Sequence, residues 1–285
     1  MTAFVMMLIV TACYTVTSLN DKYASSGAKL GGNEFTFLMC SSMSVFMATS
    51  LPFQHIYFSL TWQAFAAVAL IAVCKMLEFQ MSMIVLRQLS AFDLKAWLGI
   101  TLFASYTVDV MNGARLSALK LLCIAATVLG LFFIAKSGGK KDVDYKSIAL
   151  PLILYLTSKF GYGLVIKGFS EYASPSMQLL PALVIISLIL LPKVSPVKIF
   201  KENPKGAFNV VLARIPNTAR MIVENAVISI SLASYSFIQP MILVSLFIIG
   251  LIRREKYTRP NIIGSVICVA GVISFQIAGI APHII

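Results

Sequence analysis

The residues of this sequence best suited to chemistry are the few charged and amide side chains that fall inside long apolar runs. Arg214, Asn217, Arg220, Glu224 and Asn225 follow one another through one such run. At 100° per residue they fall within an arc of roughly 140°, which makes one polar face about three turns long. Arg220 and Glu224 are spaced to pair across one turn, and Pro216 is expected to kink the helix beside Arg214. An earlier run carries Lys75 and Glu78 one turn apart, with Ser82 on the same side. A third carries Tyr155, Ser158, Lys159 and Tyr162, and a fourth carries Thr11, Tyr14 and Ser18. Charged groups at such depth are costly and face a cavity or a partner. The chemistry they point to is the holding of a small polar solute. The plainer alternative is that Arg220–Glu224 and Lys75–Glu78 are internal ion pairs that only fix packing, and that the tyrosines are interfacial anchors. Bond-making chemistry has no support. There is no Gly-rich phosphate loop, no HExxH, no GxSxG and no buried Ser–His arrangement, so no enzyme is expected.

The elements that must position these residues follow from composition. The chain has 285 residues, 59% of them hydrophobic and 12% charged, with a mean hydropathy of +0.88. An average soluble domain carries about 25% charged residues. The fold class expected is therefore an all-α polytopic membrane protein; a β-barrel would show short alternating segments instead of long apolar runs. The net charge of +12 sits almost wholly in short turns between the runs, which is a membrane-topology pattern and excludes a nucleic-acid module. The five cysteines, Cys13, Cys40, Cys74, Cys123 and Cys268, all fall inside apolar runs with no CxxC, so neither disulfide nor zinc is expected. The first residues, MTAFVMMLIV, lack a basic n-region and read as a retained span.

Ten spans are expected, at roughly 3–20, 34–51, 62–86, 91–112, 117–136, 147–168, 176–192, 206–228, 231–252 and 260–280. Polar turns such as SSGAKLGGN, KSGGKKDVD and LPKVSPVKIFKENPKG separate them. Sliding the chain by 141 residues lays Ser90 on Ser231, Tyr14 on Tyr155, Ser117 on Thr258 and Gly130 on Gly271. The repeated layout is a span, a charged turn, a second span and a glycine, and it divides the chain into residues 1–140 and 141–285. Five spans per half is an odd number, so the second half enters the membrane in the opposite sense, as in inverted-repeat transporters. The polar, Gly-rich segment 137–146 joins the halves. Turns after odd-numbered spans, with the span ends beside them, hold sixteen of the 23 Lys and Arg residues, and those after even-numbered spans hold three. The positive-inside rule then puts the odd turns in the cytoplasm and both termini outside. In the paired runs 117–136 and 260–280, Ala126, Gly130, Gly264, Cys268 and Gly271 are small residues spaced for close helix packing. Asp109 reads as an interfacial carboxylate. His55 and His283 do not look like ligands.

The segment 231–279 resembles the C-terminal signature of the drug/metabolite transporter superfamily, in its ten-span EamA-like branch. The matching features are the Ser/Ala-rich start Ser231 to Ser236, Pro240 within a long apolar run, the turn Arg254–Glu255–Lys256 with Thr258, and Gly264 and Gly271 in the following helix. The first half departs from it: Gly99 stands where Pro240 has its counterpart, and Gly113–Ala114–Arg115 lacks the Glu. The resemblance implies two inverted five-helix repeats around a central cavity, lined largely by helices 1, 3, 4, 6, 8 and 9. It implies cargo drawn from amino acids, sugars, nucleotide sugars, phosphorylated metabolites, choline or drugs, and a place in a bacterial inner (cell) membrane. Several members carry both termini in the cytoplasm, opposite to the orientation the charge count gives.

The function expected is a secondary transporter working by alternating access. Its candidate cavity residues are Arg214, Asn217, Arg220, Glu224, Asn225, Lys75, Glu78, Tyr14, Tyr155, Lys159 and Tyr162. Cations outnumber carboxylates among the intramembrane residues, which favours an anionic or zwitterionic metabolite. Glu224 and Glu78 are the candidates for carrying a coupling proton. The expected partners are that small molecule, a proton and the lipid bilayer, with no cofactor, metal or nucleic acid. Two alternatives stay open: an exporter of hydrophobic cations, and a non-transporting membrane scaffold or lipid-handling protein.

Overall fold

A computed structural model of the chain describes residues 2–27, 30–89, 94, 97–138, 145–252 and 258–280. The described residues are helical, and the only β pairing among them is an isolated bridge between Phe58 and Ala173. The helices are α1 (Thr2–Gly27), α2 (Gly32–Ser50), α3 (Trp62–Gln88), α4 (Thr101–Met111), α5 (Ala118–Gly138), α6 (Tyr145–Gly168), α7 (Pro175–Leu190), α8 (Pro196–Glu202), α9 (Pro204–Leu212), α10 (Arg214–Ile230), α11 (Leu232–Ile252) and α12 (Arg259–Ile280). Among the described residues, four helical stretches are long and apolar enough to cross a membrane: Gly32–Phe53, Trp62–Val85, Lys146–Gly168 and Pro175–Lys193. Val5–Thr17, Ala118–Phe133 and Ile262–Phe275 are shorter apolar stretches. The basic turn 253–257, most of the joining segment (139–144), residues 90–93 and 95–96 at the start of the fourth expected span, and the side chains of Ser18, Asp21 and Lys22 lie outside the described residues.

Two stretches differ from the sequence expectation. The run 206–228 is not one helix. It is α9 and α10, separated at Ala213. Pro216 explains the break, because it has no N–H to give the carbonyl of Leu212 and is tolerated only in a helix's first turn. The proline therefore restarts a helix where a kink within one was expected. The turn 193–205 is also not all loop. Pro196 and Pro204 each open a short helix at its first position, where a missing N–H does no harm. Asn203 caps the second of these by accepting from the Gly206 amide at 3.0 Å.

The chain forms two compact units, each drawing on both halves of the sequence. One comprises Met1–Ala12, Val85–Leu150 and Ile230–Ile285; the other comprises Cys13–Ile84 and Pro151–Ser229. In the first unit α5 and α12 run against each other more extensively than any other helix pair, and α11 packs on α4 and α12. The α5–α12 crossing is close enough that a Cβ on Gly130 would lie 2.6 Å from the Gly264 carbonyl and 2.8 Å from the Cys268 amide. A Cβ on Gly271 would meet Thr127 Oγ1 and would stand 2.9 Å from the Cys123 carbonyl. Asp109, which reads from the sequence as an interfacial carboxylate, has a structural role. It is buried and caps the start of α11, accepting from Ser231 Oγ at 2.8 Å, Leu232 N at 3.1 Å and Ala233 N at 2.9 Å. The last two are amides that a helix N-terminus leaves without internal partners.

In the second unit α2 packs along α7, and α9 packs on α2. The extended segment after α2 is stitched to the segment before α7. Ser59 N donates to Tyr172 O at 2.8 Å, Ser174 N donates to Tyr57 O at 2.9 Å, and Ser59 Oγ donates to the same Tyr172 carbonyl at 2.5 Å. This unit also holds every candidate site residue.

Candidate functional site

Three helices of the second unit bring their charges together. On α3, Lys75 and Glu78 stand one turn apart, and Lys75 Nζ donates to Glu78 Oε2 at 2.7 Å. On α6, Lys159 Nζ donates to Glu78 Oε1 at 2.9 Å and lies 3.9 Å from Glu224 Oε1. On α10, Arg220 Nη1 pairs with Glu224 Oε2. The order Lys75–Glu78–Lys159–Glu224–Arg220 is thus a chain of alternating sign in which each carboxylate meets two cations. All five residues are at most 6% exposed. Isolated charges at that burial are prohibitive, and only pairing with further hydrogen bonding makes them tolerable.

Aromatic and amide groups complete the arrangement. Lys75 Nζ sits 3.7 Å from the centre of the Tyr162 ring, and the Arg220 guanidinium sits 4.3 Å from that of Tyr14. A ring face offers a buried cation partial negative charge without a second carboxylate. Tyr162 donates its hydroxyl to Asn225 Oδ1 at 2.5 Å. Arg220 Nε donates to Asn217 Oδ1 at 3.0 Å, and Asn217 Nδ2 points to Met43 Sδ at 3.2 Å.

Nine of the eleven residues expected at the site therefore form one connected set: Tyr14, Lys75, Glu78, Lys159, Tyr162, Asn217, Arg220, Glu224 and Asn225. Arg214 and Tyr155 have other surroundings. Arg214 is fully buried, donates from Nε to the Val210 carbonyl at 3.1 Å and lies 6.0 Å from the Phe35 ring. Tyr155 is buried one turn before Lys159, with its carbonyl accepting from Ser158 Oγ at 2.9 Å. Tyr14, matched with Tyr155 by the repeat, finds its described contacts in Arg220 and, at 5.9 Å, Lys159.

Two neighbours escaped the sequence reading. Met43 gives no signal, being one apolar residue among many. Thr218 does give one: it stands seven residues, or two turns, before Asn225 and so shares its face.

Among its described residues this unit buries four cations, Lys75, Lys159, Arg214 and Arg220, against two carboxylates, Glu78 and Glu224. Such a set can compensate an anion, and can do so from fixed positions on packed helices. Among the described residues no group of His, Cys, Asp and Glu is disposed to hold a metal ion. Compared with known proteins, the chain matches no family model and no curated protein sequence.

Proposed function

We propose that this chain is a secondary transporter that moves a small anionic metabolite across a membrane by alternating access. The observation that carries the reading is the buried chain of charges on α3, α6 and α10, with cations in excess, in a unit built from helices of membrane-spanning length. Ionisable residues at membrane depth mark solute and proton pathways more often than they stabilise a fold. Glu78 and Glu224 are the coupling-proton candidates of this reading. Lys159 touches both, so a change of charge on either is felt by the other. The same contacts disfavour an exporter of hydrophobic cations, since each carboxylate already faces two cationic side chains.

The architecture proposed with it is ten spans in two inverted repeats, as in the drug/metabolite transporter superfamily. Helix boundaries support it. A shift of 141 residues carries 118–138 onto 259–279 and 32–50 onto 173–191, and α12 and α7 fall there. The α5–α12 crossing supports it further, because the contacts are reciprocal. Gly130 meets Gly264 and Cys268, while Gly271 meets the residues at the matching positions, Cys123 and Thr127. Reciprocal contacts of this kind are what a two-fold axis produces.

The test is thermal-shift screening of the purified chain against acidic, neutral and basic metabolite fractions, since a ligand of the folded state raises its melting point. Stabilisation by the acidic fraction, lost in Arg220→Gln, is expected. Stabilisation by lipophilic cations alone would sink the proposal.

A further inference from the structure

The ion chain leaves three buried atoms of α10 with hydrogen-bonding capacity to spare. Glu224 Oε1, Asn225 Nδ2 and Thr218 Oγ1 have no hydrogen-bond partner among the described residues, and their residues are no more than 3% exposed. The partners that are present define what is left over. Arg220 occupies the other oxygen of Glu224, and Lys159 stands 3.9 Å from Oε1, beyond hydrogen-bond reach. Tyr162 occupies the carbonyl of Asn225, so the unused part is its NH2. A buried donor or acceptor left unmet pays its desolvation cost without return. All three belong to one helix between positions 218 and 225, and each can take a polar partner. Trapped water would also meet the need, and the test below separates the two.

The molecule must present a donor to Glu224 and an acceptor to Asn225; the Thr218 hydroxyl serves as either. An ammonium group would supply the donor, but this unit already buries four cations against two carboxylates, and a fifth cation at Glu224 adds to that excess in a low-dielectric site. A hydroxyl is neutral and is donor and acceptor at once. We infer that the solute is a hydroxylated acid. The buried cations compensate its anionic group, and Glu224 Oε1 and Asn225 Nδ2 read its hydroxyl, with Thr218 two turns before Asn225 on the same face. The inference rests on the anion-transport reading above and narrows it to one substrate class.

The experiment measures binding of matched acids to the purified full chain by thermal shift: lactate, propionate and alanine, then malate, succinate and aspartate, then gluconate and hexanoate. A site built around a hydroxyl rejects the analogue lacking it by far more than the loss of one contact suggests, because its own polar groups are left unmet. Each hydroxy acid is expected to bind at least a hundredfold more tightly than its deoxy partner and more tightly than the amino acid. Asn225→Asp keeps an acceptor for Tyr162 and removes the NH2 donor, and it is expected to reduce the hydroxy-to-deoxy ratio at least tenfold. Equal binding of hydroxy and deoxy acids would overturn the inference, leave anion transport standing and assign the three atoms to water. A preference for alanine or aspartate would overturn it in favour of a zwitterion. Binding of none of these acids would remove the anion-transport reading and this inference together.

Discussion

The two units bury their most constrained contacts in opposite ways. In the first, α5 and α12 cross where side chains have been reduced to almost nothing: Gly130 and Gly271 let backbone approach backbone. In the second, α3, α6 and α10 meet through some of the longest and most polar side chains in the chain, held by opposite charge and by ring faces. Packing by small residues needs only shape and suits a joint that stays shut in lipid. An ion chain holds its helices only while every charge is answered. The contrast separates a crossing held by shape from a cluster held by charge.

The contrast can be broken most severely at Glu78. Glu78→Gln leaves Lys75 and Lys159 without their nearest carboxylate, and breaking a buried pair in this way costs about 3–5 kcal/mol. A drop of that size in the free energy of unfolding is expected in detergent. It should change little between low and high salt, because buried pairs are poorly screened. Gly130→Ala attacks the other unit. Its Cβ strikes the Gly264 carbonyl and the Cys268 amide, which no rotamer change can move, and about 3 kcal/mol of overpacking is expected. Asp109→Ala removes three hydrogen bonds from the start of α11, and a loss of about 2 kcal/mol is expected. A finer distinction comes from Gly271→Ala. Its first obstacle is a side chain, Thr127 Oγ1, so adding Thr127→Ala should recover about 1 kcal/mol. No single side-chain truncation should rescue Gly130→Ala in the same way. Smallest of all, Tyr162→Phe removes one hydrogen bond to Asn225 while keeping the ring beneath Lys75, and about 1 kcal/mol is expected. A loss as large as that of Glu78→Gln would mean that the ring and the amide, not the ions, hold the second unit together.

The sequence made the helical, membrane-length character plain, because apolar runs and polar turns alternate at the scale of a bilayer. It also marked the chain of charges, since Lys75, Glu78, Lys159, Arg220 and Glu224 stand out against apolar surroundings. What it hid depends on neighbours distant in sequence. Asp109 looks like a boundary residue until α11 is seen to begin against it. Met43 is one methionine of thirteen, distinguished only by the amide that reaches it. Residues 206–228 read as a single run because hydropathy does not register the missing amide of Pro216, and Pro196 and Pro204 look like loop residues although each starts a helix. Ala126, Gly130, Gly264, Cys268 and Gly271 read as small residues spaced for close helix packing, but nothing in the sequence sets one of these helices against the other. Cys123 and Thr127 do not stand out, because size alone does not mark which residues of a helix face a glycine.

The pairing of α5 with α12 also sets an order of assembly during synthesis. All segments of the second unit, Cys13–Ile84 and Pro151–Ser229, have been made once residue 229 is reached. The first unit at that moment still lacks Ile230–Ile285, and with it both α11, which Asp109 caps, and α12, the partner of α5. Because chains fold from the N-terminal end as they are made, α5 waits with Gly130 uncovered until a helix made more than a hundred residues later reaches it. The ion-bearing unit is therefore the early product of translation, and the glycine crossing is its final closing step.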